Sequence, residues 1–310
     1  MVKPDKTLIV VVGPTAIGKT EMAIRLAKHY GTEIVSADSR QFFKETNIGT
    51  AKPTDSELQS AKHHFINSHS ITSEFSVGDF EKEALQVIDN IFTNNRYAIL
   101  VGGSGLYVNA VCQGFDNIPK ANVGIRQKLN DQFASNGIEF LQNALLKADP
   151  VYYSQVDLNN PQRIIRALEV YETSGKPFSS FRKQDAAARP FNIVKIGLNT
   201  SRPELYSHIN HRVDIMMQRG LLEEVERLLP YRHLNALNTV GYSELFEYFD
   251  GQISLAEAVE KIKQNTRRFA KRQLTWFNRQ DDIQWFQPGD TGEVIAYLNQ
   301  QFLQNPAPGE

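Results

Sequence analysis

One string of eight residues constrains this chain more than any other: Gly13-Pro14-Thr15-Ala16-Ile17-Gly18-Lys19-Thr20. It follows Thr7 to Val12, a continuous aliphatic and β-branched run of the kind found in strands buried on both faces of a parallel sheet. It leads into Thr20 to Tyr30, where Met22, Ala23, Leu26 and Ala27 recur at helical spacing and Gly31 stops the pattern. Strand, glycine loop and helix in that order fit G-x-x-x-x-G-K-[ST] in full. The glycines let backbone N–H groups converge on phosphate oxygens, Lys19 sets a positive charge over the terminal phosphates, and the Thr20 hydroxyl completes a Mg²⁺ shell. A chain built this way binds a pyrophosphate-bearing molecule, ATP and other nucleotides being the commonest class.

The segments that follow predict an α/β fold. Glu33 to Ala37 reads as a second strand, Phe80 to Phe92 as an amphipathic helix and Tyr97 to Val101 as a third strand, giving right-handed parallel crossovers. Such sheets bind ligands at the carboxyl ends of their strands, where the glycine clusters fall. From Pro119 to Pro190 only helical periodicities remain, at Ile125 to Phe133, Phe140 to Lys147 and Pro161 to Thr173. Ile193 to Leu198 is a further strand. Helices follow near Pro203 to Arg219 and Leu221 to Leu229, and a long one opens at the capping box Ser254-Leu255-Ala256-Glu257. The predicted architecture is a P-loop NTPase-like parallel sheet core over 1–118 and 192–310, interrupted by an all-helical insertion domain over 119–191. Pro306 to Glu310 reads as a frayed tail.

Composition narrows the class. The 310 residues, 41% hydrophobic and 22% charged, are globular in character and long enough for about two domains. The single cysteine, Cys112, rules out a disulfide framework or a Cys-rich zinc module. No apolar run spans a membrane, and Met1 to Lys6 lacks the pattern of a signal peptide, so a soluble, cytoplasmic protein is expected. Net charge is -1, yet Lys261, Lys263, Arg267, Arg268, Lys271, Arg272 and Arg279 stand in a window without an acid. That window holds +7, so the rest of the chain sums to -1 - 7 = -8. On that helix Ala258, Val259, Ile262, Phe269, Trp276 and Phe277 share one arc and the charges the opposite one. A one-sign stripe on an acidic body is the footprint of a polyanion; a solvated helix face is the competing account.

An NTPase or kinase would carry an acid at the end of an apolar strand, and a GTPase an N-K-x-D string. Neither is present. The third strand ends in Gly102-Gly103-Ser104-Gly105, either a second phosphate-facing loop or a packing turn. Asp38, directly after the second strand, is the carboxylate nearest the phosphate loop; it suits a general base or a metal-shell ligand, or else caps a turn. The seven histidines, including the adjacent His63-His64, have no metal spacing and read as surface or loop residues.

Nine strings in order extend these signals: Gly13 to Thr20, Asp38-Ser39-Arg40-Gln41, Ile48 to Pro53, Gly102 to Tyr107, Asn160-Pro161-Gln162-Arg163, Arg166 to Val170, Ser174-Gly175-Lys176, Val240-Gly241-Tyr242 and Lys271 to Trp276. Together they resemble the bacterial tRNA dimethylallyltransferases, from about residue 7 to 287. The resemblance implies dimethylallyl diphosphate as donor, N6 of adenosine 37 in the tRNA anticodon stem-loop as acceptor, Mg²⁺ as cofactor, and a monomer. It assigns Gly13, Pro14, Thr15, Ala16, Ile17, Gly18, Lys19, Thr20 and Arg212 to the diphosphate, with Thr20 on Mg²⁺. Asp38 becomes the base at N6, with Ser39, Arg40 and Gln41 touching the extruded nucleotide. Ser104 and Arg126 line the reaction channel, and Gln162, Arg163, Ile164, Ile165 and Arg166 contact tRNA, as would Arg268, Lys271 and Arg272 of the basic stripe. Two positions depart from the family pattern: Ser104 stands for its usual Thr, and Phe42-Phe43 for an aliphatic-Tyr pair. Competing readings are a kinase or isopentenyltransferase acting on a free nucleotide, and a non-catalytic RNA-binding P-loop protein. A free-nucleotide enzyme needs neither the helical insertion nor the basic helix.

Overall fold

The computed structural model describes residues 6–116, 118–120, 122–182 and 187–304. The expected tail and the residues preceding Lys6 lie outside that range. Six parallel strands form one sheet: β1 (Thr7–Val12), β2 (Ile34–Ser36), β3 (His63–His64), β4 (Tyr97–Gly102), β5 (Asn192–Leu198) and β6 (Ile283–Phe286), in the order β3-β2-β4-β1-β5-β6. Twelve α-helices accompany them among the described residues. They are α1 (Lys19–Tyr30), α2 (Asp55–Ser60), α3 (Val77–Ile91), α4 (Gly105–Gln113), α5 (Val123–Ala148), α6 (Pro150–Tyr153), α7 (Pro161–Ser174), α8 (Arg202–Gln218), α9 (Leu221–Leu228), α10 (Tyr242–Phe249), α11 (Leu255–Phe277) and α12 (Thr291–Gln304).

The sheet is buried on both faces, as the unbroken apolar run of β1 requires. Alternation along the strand sends Leu8, Val10 and Val12 into one layer with Phe80, Ala84 and Ile88 of α3. Ile9 and Val11 point the other way, against Met22 and Leu26 of α1, Leu205 and Ile209 of α8, and Leu298 of α12. Each of the larger side chains, Ala84 excepted, contributes about 1.5–3 kcal/mol of burial. A third cluster joins Val213, Leu221, Val225, Leu245 and Ile262 of α8 to α11.

Register decides where the loops fall. Val12 pairs with Gly102, and Ser36 pairs with Val101. The residues after β1, β2 and β4 therefore leave the sheet side by side.

The chain divides into two compact units, one running to Gln113 and resuming at Ala188, the other Gly114–Ala187. The first unit resumes at Ala188, before β5 begins. Arg189 already donates to the Val111 carbonyl (2.8 Å) and to Glu81 (2.5 Å), and the Phe191 ring packs on Phe92 (5.5 Å). In the helical unit, Leu129, Leu141, Leu145, Ile164, Ile165 and Leu168 form a separate core. The two expected helices are run together as α5, with Gly137 at φ 74°, ψ -174° breaking the helical backbone between them.

The sheet has two strands that periodicity does not announce, β3 and β6. His63-His64, expected in a loop, is an edge strand beside β2, where His64 Nε2 meets the Glu33 carboxylate at 2.6 Å. Two residues carry no pattern; their pairing partner makes them a strand. No helix among the described residues is long and apolar enough to cross a membrane.

Candidate functional site

Two adjoining cavities of about 480 and 540 Å³ lie over the carboxyl ends of β1, β2 and β4. The first is polar and follows the phosphate loop through Lys19 and Thr20 to Ser36. The second is walled by Leu106, Tyr107, Val213, Val240, Phe269 and Trp276. Thr15, Asp38, Arg212 and Gln273 belong to both walls.

The loop needs its glycines for distinct reasons. Gly13 has φ 145°, and a Cβ there would sit 2.5 Å from the Leu198 carbonyl oxygen. Gly18, at φ 91°, caps α1 in a left-handed conformation. Between them Ala16 takes φ 65°, a strained value for a residue with a side chain. Lys19 Nζ donates to the Pro14 carbonyl at 2.7 Å. Burial, and secondarily Arg212, push its ammonium down from 10.5 to about 7, against the opposing pull of Asp38. Arg212 comes from α8 and donates to Thr15 Oγ1 at 3.2 Å. Burial also depresses its guanidinium, with Asp38 acting the other way.

Asp38 belongs both to a turn and to the cavity wall. Its Oδ1 accepts the Arg40 N–H at 3.0 Å, so it closes a turn, and its carboxylate stands on the wall between the cavities. The glycine turn after β4 both packs against α11 and lines the cavity. Gly103 and Gly105 admit side chains of α11, while Ser104 Oγ accepts the Ser39 N–H (3.1 Å) and donates to Ser39 Oγ (3.2 Å) at the cavity wall.

Several of the residues expected at the site have partners within the protein. The Arg40 guanidinium, on the cavity wall, donates to the carbonyls of Asn235 (3.0 Å), Ala236 (3.1 Å) and Asn238 (3.2 Å) and so holds a loop in place. Gln41 is committed to the carbonyls of Thr50 and Ala51. Ile164 and Ile165 are fully buried in the helical core; Gln162 and Arg163 beside them are exposed. Arg126 and Arg166 both pair with Glu169 at 2.9 Å. Burial alone would raise the Glu169 carboxyl, and these two guanidinium partners outweigh it and hold it low. Phe42 and Phe43 are core residues, Phe42 stacking on Phe80 at 5.2 Å.

The basic stripe is not uniform either. Lys261 pairs with Glu247 and Lys263 with Asp214, each at 2.8 Å, so acids of other helices neutralise its first turns. Arg268, Lys271 and Arg272 stay exposed, the last over the Phe269 ring at 5.8 Å. On the apolar arc, Phe269 and Trp276 are each 39% exposed, because there α11 passes over the cavity instead of packed protein.

Sequence reasoning missed Glu224. On α9, its buried carboxylate accepts hydrogen bonds from the N–H groups of Asn47 (3.1 Å), Ile48 (2.7 Å) and Gly49 (3.0 Å) and from the Tyr242 hydroxyl (2.7 Å). Burial beside that carboxylate pushes the Tyr242 phenol far up, so it remains the donor. Glu224→Ala should cost about 3 kcal/mol or more, since four donors lose their acceptor, and urea unfolding measures it. A loss below 1 kcal/mol would mean that water replaces the carboxylate.

Comparison with known proteins now adds to this geometry. The model of the IPP transferase family matches residues 41–280. The tRNA dimethylallyltransferase of Flavobacterium psychrophilum is 51% identical over 299 residues, spanning 94% of this chain and 97% of its own. The chain belongs to the tRNA dimethylallyltransferase family. Another member, from Christiangramia forsetii, is 52% identical over 288 residues, 93% of this chain and 95% of that one. Among solved structures, the tRNA isopentenylpyrophosphate transferase of Bacillus halodurans superposes with TM-score 0.72 at 36% identity, covering 97% of this chain and 98% of its own. A eukaryotic dimethylallyltransferase captured acting on tRNA gives TM-score 0.81 at 26% identity, over 98% of this chain and 81% of that one.

Proposed function

We propose that the chain transfers the dimethylallyl group of dimethylallyl diphosphate to N6 of adenosine 37 in the anticodon stem-loop of tRNA, releasing pyrophosphate. The observation that carries this reading is a polar phosphate cavity meeting an apolar, aromatic-walled one across Asp38, Thr15 and Arg212. A diphosphate with a short apolar tail fits such a junction from one side and a purine from the other. The curated relatives at about half identity are tRNA enzymes, which disfavours a free nucleotide as acceptor.

In this reading Lys19, Arg212 and the loop N–H groups stabilise charge on the departing pyrophosphate as the allylic C–O bond breaks. The N6–C bond forms as Asp38 takes the N6 proton, and the electron pair of the broken bond leaves on pyrophosphate. The adenine must first leave its stack, at a cost of a few kcal/mol that RNA contacts on the helical unit and on α11 offset. No group of three or more His, Cys, Asp and Glu that could hold a metal exists among the described residues. The Thr20 hydroxyl on the polar wall would instead hold Mg²⁺ together with the diphosphate. Bound there, it would supply Lewis-acid stabilisation of the leaving group. The reading takes the protein to act as a monomer where tRNA resides, in the cytoplasm.

Mass spectrometry of nucleosides from unmodified tRNA, incubated with the protein, Mg²⁺ and dimethylallyl diphosphate, tests the reading. N6-dimethylallyladenosine next to the anticodon is expected, and its absence would overturn the proposal. Replacing exposed Arg268 and Lys271 with Gln should lower the slope of log K for tRNA against log salt by up to about 0.9 per lost phosphate contact. An unchanged slope would return that face to plain solvation.

A further inference from the structure

Gln273 sits in the last third of α11, buried, with its amide between two loops of the site. Its Oε1 accepts the Thr15 N–H at 2.8 Å, inside the phosphate loop. Its Nε2 donates to the Gly103 carbonyl at 2.9 Å, at the end of β4. A carboxamide offers an acceptor and a donor at one tip, so it makes both bonds at once where an acid, a cation or an apolar side chain cannot. The fit leaves no slack: a Cβ on Gly103 would lie 2.3 Å from Nε2.

The same turns of α11 face outward through Arg268, Lys271 and Arg272, and line the apolar cavity through Phe269 and Trp276. Thr15 in turn precedes strained Ala16 and holds Arg212 through its hydroxyl. A backbone conformation of that kind persists only where its surroundings over-determine it, and the Gln273 bond is one such constraint. We propose that Gln273 is a positioning residue that couples RNA docking on α11 to the geometry of the phosphate loop. RNA that seats the outer face of the helix also seats the amide, and the amide sets the Thr15 backbone for the diphosphate. This inference rests on tRNA being the acceptor substrate.

The test is a double titration, with inorganic pyrophosphate and Mg²⁺ as probe, with and without an unmodified anticodon stem-loop RNA. In the wild-type chain the RNA should tighten pyrophosphate binding about fivefold or more, the lower end of ordinary coupling between sites. Gln273→Leu loses both bonds, and Gly103→Ala evicts the amide from the opposite side; each should bring that ratio within about twofold of one. A merely structural glutamine would lower stability or both affinities and leave the ratio intact. Coupling retained in either folded variant, or absent from the wild type, overturns the proposal. If the stem-loop fails to bind the wild-type chain at all, the tRNA reading falls and this inference with it. Binding without coupling removes the inference alone.

Discussion

Lys19→Ala is expected to lower kcat/KM for dimethylallyl diphosphate by about 10²- to 10³-fold, the usual cost of removing one preorganised donor from developing negative charge. The affinity for tRNA should stay within about twofold, because Lys19 lies on the polar cavity and not on α11. The same residue sets a pH dependence. Its ammonium is held down to about 7, mainly by burial. Below that pH the loop is cationic and attracts the diphosphate; above it the amine is neutral and the attraction fades. Donor affinity in the wild-type chain should therefore fall as pH rises from 7 to 9, by at most tenfold per unit. In Lys19→Ala that limb should vanish. A variant that keeps the wild-type rate and pH profile would take Lys19 out of the site.

Asp38→Asn should slow single-turnover transfer by about 10²- to 10⁴-fold, the range of a general base. The amide still offers Oδ1 to the Arg40 N–H, so the turn survives and thermal stability should change by less than about 1 kcal/mol. Affinities for tRNA and donor should stay within a few-fold. A second readout follows from the electrostatics of the cavity. Asp38 raises the Lys19 pKa, so losing its charge should move the pH midpoint of donor binding lower. Early melting with near wild-type transfer would reassign Asp38 to the turn alone.

How much of this was legible depends on what each residue answers to. The phosphate loop could be read because its requirements are local: glycines where φ is positive, a strand before and a helix after. The capping box at Ser254 and the periodic α7 were legible for the same reason. Strands β3 and β6 were not, since two and four residues carry too little pattern and owe their state to a neighbouring strand. The partners of Arg40 and the burial of Ile164 were not legible, because a matching string carries identity but not direction. Only packing turns one guanidinium onto three carbonyls and sends one isoleucine into a core.

By itself, the sequence determined that this chain builds a parallel α/β sheet around a phosphate loop and carries a concentrated cationic helix, because those features follow from short-range pattern and covalent order. Which residues meet across the sheet was decided by the tertiary structure. Thr15 and Gln273 are 258 positions apart, and Glu224 reaches back 175 to 177 positions to three successive N–H groups. Such partnerships arise from strand register and helix docking. They are set by the burial of whole faces, and no window along the chain contains both partners.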